Sequence, residues 1–176
     1  MNKDNKMIIG YIIGGLLVLV LVPSIIYFMT WLLDHLFRID ILPNPVLRWV
    51  ILLILLVSGL GYGIWSLIFQ NRIGQGGPVE LGNVEISPKT KHLVVTGPYQ
   101  NTRNPMLFGT FLMYLAFSLF INSITAVVLV AALFVFMLLV VVKMEEKRLA
   151  SDFGAQYDEY RNKVSIFIPW FQRKTS

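Results

Sequence analysis

Hydrophobic and polar positions fall along this chain in long blocks, not in the short alternation of a soluble fold. Residues 7–30 hold no charged side chain over 24 positions, and about 20 apolar residues in a helix cross a hydrocarbon core roughly 30 Å thick. A secretory signal has a shorter apolar stretch and a small-residue cleavage site. This run continues into Trp31-Leu32-Leu33-Asp34 and reads as a retained helix, with a kink expected at Pro23. Residues 46–69 form a second run, led in by Pro43-Asn44-Pro45 and containing only Arg48 near its start. Residues 106–142 are about twice too long for one crossing, and Asn122-Ser123 divides them into 106–121 and 124–142. The first of these is short, so a tilted span and half of a re-entrant hairpin both fit it. Either one returns the chain to the side it came from. Gly10-xxx-Gly14 and Gly59-xxx-Gly63 are small-residue patterns that let helices approach closely in lipid.

Two polar segments separate or follow these runs: a loop at 70–105 and a tail at 143–176. Charge orients them. Lys3 and Lys6, the four Lys/Arg of the loop and the seven of the tail lie on one side, against Arg38 and Arg48 on the other. The positive-inside rule puts both termini and the loop in the cytoplasm, and Trp31 and Trp49 then fall in the opposite aromatic belt. In the tail, Leu149, Phe153, Tyr157, Tyr160 and Val164 recur at spacings of 4, 4, 3 and 4, the stripe of an amphipathic helix lying on the bundle or the interface. The stretch 166–171, Ile-Phe-Ile-Pro-Trp-Phe, reads as an interfacial anchor. The expected architecture is all-α: a single polytopic membrane domain over 1–176, about four transmembrane helices and a cytoplasmic C-terminal amphipathic helix.

Composition agrees, with 56% hydrophobic and 14% charged residues against about 25% charged in average soluble domains. The net charge of +5 flanks the apolar runs, which points to a membrane surface and not to nucleic acid. The chain has no Cys, which excludes disulfides, thiolate zinc sites and Cys nucleophiles. His35 and His92 are expected on opposite faces, so no metal site is expected. No Gly-x-Ser-x-Gly elbow occurs. The spans hold no ionisable residue beyond Arg48, which argues against an ion-coupled pump.

Candidate chemistry therefore gathers on the cytoplasmic side. Gly74 to Pro78 has the glycines of a phosphate loop, but no strand precedes it and no Gly-Lys-Ser/Thr follows, so a bare flexible turn is expected. Pro105 suits the first turn of a helix, whose free N–H groups, with Arg103 beside them, form a candidate anion site. Arg103 snorkelling to headgroups explains the same spacing. Glu145-Glu146 sits at the hydrocarbon boundary, where unpartnered carboxylates are costly. On a helix one can face the bundle and the other water, and i,i+3 pairing of Glu145 with Arg148 is the plainer account.

In series, Gly97-Pro98-Tyr99, Arg103-Asn104-Pro105-Met106, a helical hairpin, Glu145-Glu146, Phe153-Gly154, Tyr157, Tyr160, Val164 and Ile168-Pro169 resemble the isoprenylcysteine carboxyl methyltransferase family and its phospholipid N-methyltransferase relatives. The resemblance covers about 93–169. It implies S-adenosyl-L-methionine bound at the cytoplasmic face without a Rossmann domain. It makes His92, Leu93, Val94, Tyr99, Asn104, Pro105 and Glu145 cofactor-binding, and Arg103 and Glu146 the catalytic candidates. The implied partner is a lipophilic methyl acceptor from the bilayer, a prenylated thiol or carboxylate or a lipid amine, among membrane lipids. Three positions depart from the pattern. Asn104 stands where many members have His, and Leu107 stands where Tyr is usual. Val141 replaces an Arg that reads the acceptor carboxylate in eukaryotic members, with Lys143 a loose substitute. A non-catalytic membrane scaffold or regulatory protein that keeps the fold is the first alternative, and a small-solute carrier the second.

Overall fold

The computed structural model describes residues 3–76, 80–81, 84–85 and 90–169. The chain begins with α1 (Lys3–Leu16), a π-helical turn (Leu17–Leu21) and α2 (Val22–Asp34), which together form one long apolar rod. Pro23 is the cause of the wide turn. The Val22 N–H bonds back five residues to the Leu17 carbonyl, and Pro23 has no N–H for the carbonyl that follows, that of Val18. The Tyr114 hydroxyl supplies the missing donor at 2.8 Å.

α3 (Pro45–Phe69) starts on the Pro-Asn-Pro segment as its residues dictate. Asn44 is the N-cap, its side chain accepting from the Leu47 N–H at 3.1 Å, and Pro45 occupies the first turn. It runs into a second π-helical turn, Gln70–Gly74, that ends on Gln75 in the left-handed region. Beyond a two-residue antiparallel ladder, β1 (Glu80–Leu81) with β2 (Val84–Glu85), and a 3-10 turn at Gly97–Gln100, α4 (Pro105–Ile121) packs antiparallel on α3. Contact is closest where Gly59 and Gly63 face Gly109: a Cβ on Gly109 would meet the Gly59 carbonyl at 2.7 Å and the Gly63 nitrogen at 2.8 Å. The second glycine pair thus serves the α3–α4 seam. Gly10 is buried and Gly14 lines a cavity.

α4 runs antiparallel to α3 along much of its length. Phe120, near its end, meets Trp49 near the start of α3, and its 17 residues extend about 25 Å. The Asn122-Ser123 break has a bond for each residue. Asn122 takes the left-handed conformation that ends the helix, and its side chain accepts from the Leu42 N–H at 3.1 Å. Ser123 caps α5 (Ile124–Phe136) and donates to Asp34 at 2.8 Å. A third π-helical turn, Met137–Val142, leads into α6 (Lys143–Phe153).

The apolar stripe of the tail is not one helix. Gly154, at φ 53° and ψ −129°, separates α6 from α7 (Ala155–Lys163), and Val164 already has extended backbone. Phe167 does not lie at an interface either, since it packs edge-on against Phe108 and Phe111 inside the bundle. Trp170 and Phe171 of the expected anchor lie outside the described residues.

Three helices are long and apolar enough to cross a membrane: Met7–Asp34, Pro45–Gly74 and Ile124–Phe153. Large apolar side chains cover their outward faces, Leu19, Ile54 and Leu139 being each more than half exposed, an arrangement stable in lipid and not in water. The protein is an integral membrane protein with an all-helical core.

Candidate active site

The end of α1, the end of α3, the start of α4 and the end of the last span meet around one cavity of about 680 Å³. The three π-helical turns all contribute lining residues, among them Val18, Gln70 and Met137, in keeping with the frequent placement of such turns at functional sites.

The polar end of the cavity is built by two segments. The first is the loop before α4. Gly97, at φ +64°, lies against the Phe69 ring and turns the chain so that Tyr99 reaches Gln70, donating its hydroxyl to Oε1 at 2.7 Å. Arg103 and Asn104 then bind the C-terminal segment. The Arg103 N–H donates to the Ser165 carbonyl at 2.9 Å, and Asn104 Nδ2 donates to the Ile166 carbonyl at 2.8 Å. The second segment is α6 with α7. Arg103 Nη1 stands 3.0 Å from Glu146 Oε1, both side chains more than four-fifths buried. Glu145, on the same helix, is 3.7 Å from Arg148. Both sequence accounts of the acidic pair therefore hold, one for each residue.

Tyr157 and Tyr160 close the end wall, with the Tyr160 hydroxyl donating to the Tyr99 carbonyl at 2.7 Å. Burial raises the Tyr99 phenol well above its ordinary value, and the Glu145 charge adds to this. Burial also raises Tyr157, with Glu146 reinforcing the effect and Arg103 opposing it. Tyr160 is raised by burial against the pull of Arg103. All three hydroxyls are therefore neutral donors at physiological pH.

Leu93, Val94, Tyr99, Arg103, Asn104, Pro105, Glu145 and Glu146 all line this cavity. His92 does not: it is exposed, and the bond it makes is a backbone one, to the Gly74 carbonyl at 3.4 Å. The glycine cluster is not a bare turn. A Cβ on Gly74 would touch Val94 at 3.0 Å, and one on Gly76 would meet the Thr90 backbone at 2.8 Å, so both glycines admit the returning chain. Gly77 and Pro78 lie outside the described residues. Gln70, Tyr157 and Tyr160 also line the site without having been chosen from the sequence. The i,i+3 tyrosine spacing was a usable signal, whereas Gln70, at the end of an apolar run, gave none.

Away from the polar end the walls are apolar. Tyr11, Gly14, Leu17 and Val18 face Leu60 and Ile64 of α3, with Leu107, Met113, Leu133 and Met137 completing the shaft. The departures Leu107 and Val141 both belong to this lining. A polar cup thus opens into an apolar shaft that runs along the membrane-spanning helices.

Among the described residues no group of three or more His, Cys, Asp or Glu could hold a metal ion. No curated protein sequence matches the chain. The family model described as phospholipid methyltransferase matches residues 53–156, more than half of the chain, from the middle of α3 into the first turn of α7, and the protein belongs to that family of membrane methyltransferases.

Proposed function

We propose that the protein is an S-adenosylmethionine-dependent methyltransferase. It acts as a single membrane domain on a lipophilic acceptor drawn from the bilayer, with its polar cup and both termini on the cytoplasmic side. The observation that supports this reading is the continuity of the polar cup with the apolar shaft. A charged, water-soluble donor and a hydrocarbon-bearing acceptor need such a boundary in order to meet. Methyl transfer is a direct displacement, so the protein's work is alignment and exclusion of water.

The residues present fit the donor. Arg103 Nε is shielded from solvent with no hydrogen-bond partner among the described residues, a cost usually met by a ligand. It is placed for the donor's carboxylate, with the N–H groups of the first turn of α4 beside it. Glu145 is an acceptor for the donor's ammonium or ribose hydroxyls, and Tyr99 with Leu93 and Val94 forms a wall for its base. Asn104 and Pro105 hold the loop and helix start in place. The donor supplies an electrophilic methyl group on a sulfonium.

The charges of the cup favour an amine acceptor over a carboxylate. Among the described residues its lining carries Glu145 and Glu146 against Arg103 as the one cation, itself paired with Glu146. Val141, where a carboxylate-reading Arg would stand, is apolar. With Arg103 engaged by Glu146 and the donor's carboxylate, an acceptor ammonium finds compensation in the cup, whereas an acceptor carboxylate meets repulsion and desolvation. Glu146 is then the group placed to hold the proton that the amine gives up, with Arg103 fixing its carboxylate.

Calorimetry of the donor with the protein in detergent is the test. Binding should be measurable, and Glu145→Ala should weaken it at least tenfold. Absence of heat with the wild-type protein across several detergents overturns the reading.

A further inference from the structure

On the reading just given, we propose that the apolar shaft receives the acceptor's hydrocarbon tail and that Tyr114, fixed across the shaft's floor, sets the longest tail the enzyme accepts. On each wall the lining stops partway along the helix. The lining residues farthest from the polar cup are Val22 on α2, Leu60 on α3, Tyr114 on α4 and Leu133 on the last span. From Pro105 to Tyr114 is about 14 Å along the helix axis, close to the depth of one leaflet of a hydrocarbon core roughly 30 Å thick. A tail whose headgroup sits in the cup therefore ends at Tyr114.

Below this level there is no room. Tyr114 is 4% exposed, and it packs with Ile26, Val130 and Phe134, all buried. Its ring meets Phe134 edge-on, with centroids 5.9 Å apart. A tyrosine hydroxyl this deep needs a partner, and it has one that cannot be given up cheaply. The Val18 carbonyl, deprived of a helical donor by Pro23, accepts from it at 2.8 Å. Rotating the ring aside would strand both groups in hydrocarbon, at a cost of the order of a lost buried hydrogen bond each. The floor is thus held shut by the helix defect itself. Leu or Met at position 114 would close the same space only loosely, because either can change rotamer without leaving a polar group unpaired.

The test uses primary alkylamines of stepped chain length in nanodiscs, with labelled donor, read as relative kcat/KM. The wild-type protein should accept tails up to a limit and lose about tenfold or more on the first methylene beyond it. Tyr114→Ala should move the limit to longer tails. Tyr114→Phe, which keeps the ring but removes the bond to the Val18 carbonyl that holds it in place, should move the limit to longer tails by less than Tyr114→Ala does. Leu133→Phe, which raises the floor from the opposite wall, should move the limit to shorter tails and serves if Tyr114→Ala does not fold. A limit that is the same in wild type, Tyr114→Ala and Leu133→Phe, or no limit in the wild type, overturns this inference while leaving the methyltransferase reading standing. Failure of the wild-type protein to transfer methyl to any amine, with no donor binding by calorimetry, overturns both.

Discussion

Arg103 and Glu146 meet at 3.0 Å across the polar cup, tying the loop before α4 to the end of the last span. The two positions are far apart in sequence and neither lies in a regular motif with the other, so the pair forms only when the bundle has closed. Both side chains are largely out of water. Removing one member leaves an uncompensated charge, whereas removing both does not. We expect Arg103→Met and Glu146→Leu each to destabilise the protein by about 3 kcal/mol. The double substitution should recover at least half of the summed loss. Denaturation in detergent, arranged as a double-mutant cycle, measures it, and additive losses would mean that the ion pair is energetically idle.

Tyr99, Tyr157 and Tyr160 give the cup an alkaline limit. Each phenol is raised above its ordinary value of 10.0 chiefly by burial. Above that pH the unfolded chain has lost protons that the folded chain still holds. Stability is therefore full below about pH 10 and falls as pH rises further, by up to about 1.4 kcal/mol per pH unit for each tyrosine. Tyr160→Phe removes one of these protons and one hydrogen bond. It should lower stability near neutrality by about 1 kcal/mol and flatten the fall above pH 10. Unfolding followed from pH 8 to 11 separates the two effects, and an unchanged alkaline slope would contradict the assignment.

The spans and the break at Asn122-Ser123 were legible because each is carried by local chemistry, whereas the meeting of the loop with the acidic pair was legible only through the family resemblance. Long uncharged runs specify spanning helices, and a left-handed Asn followed by a capping Ser specifies a helix boundary. What was hidden depends on geometry between segments. Nothing in the run ending at Gln70 says that this side chain accepts from Tyr99. Nothing in the first span says that Pro23 frees a carbonyl for a tyrosine on α4. Phe167 belongs to an apolar terminal stretch that suits an interface equally well, and only the bonds of Arg103 and Asn104 to the backbone at 165 and 166 turn it inward. The periodicity of the tail failed at Gly154, because a 3.6-residue stripe can continue in register across a glycine that ends the helix.

Close approach of α3 and α4 makes a sharp packing prediction. A methyl group at Gly109 would overlap backbone atoms of Gly59 and Gly63, while one at Gly61, in the same stretch of α3, meets nothing within 4 Å. Backbone cannot rotate away as a side chain can, so Gly109→Ala must part the helices. The expected loss is about 1–3 kcal/mol. Gly61→Ala should be neutral or slightly stabilising, since alanine is the better helix former. Thermal unfolding of the two variants in the same detergent compares them directly, and equal behaviour would mean that the seam is looser than the distances imply.

Gly154 lets the acidic helix and the tyrosine helix point differently. Its backbone, at φ 53° and ψ −129°, is closed to side-chain-bearing residues for steric reasons within the residue itself, although a Cβ there would meet no neighbour within 4 Å. Gly154→Ala therefore tests conformation and not crowding. Holding alanine in that region costs about 1–3 kcal/mol, and the relaxed alternative is continuous helix through 143–163. That would carry Tyr157 away from Glu146 and break the bond between Tyr160 and the Tyr99 carbonyl. We expect Gly154→Ala to raise helicity slightly while weakening donor binding, whereas Ala155→Gly, one residue on, should change binding little. Circular dichroism and calorimetry on both variants decide it: intact donor affinity in Gly154→Ala would mean that the turn does not position the cup.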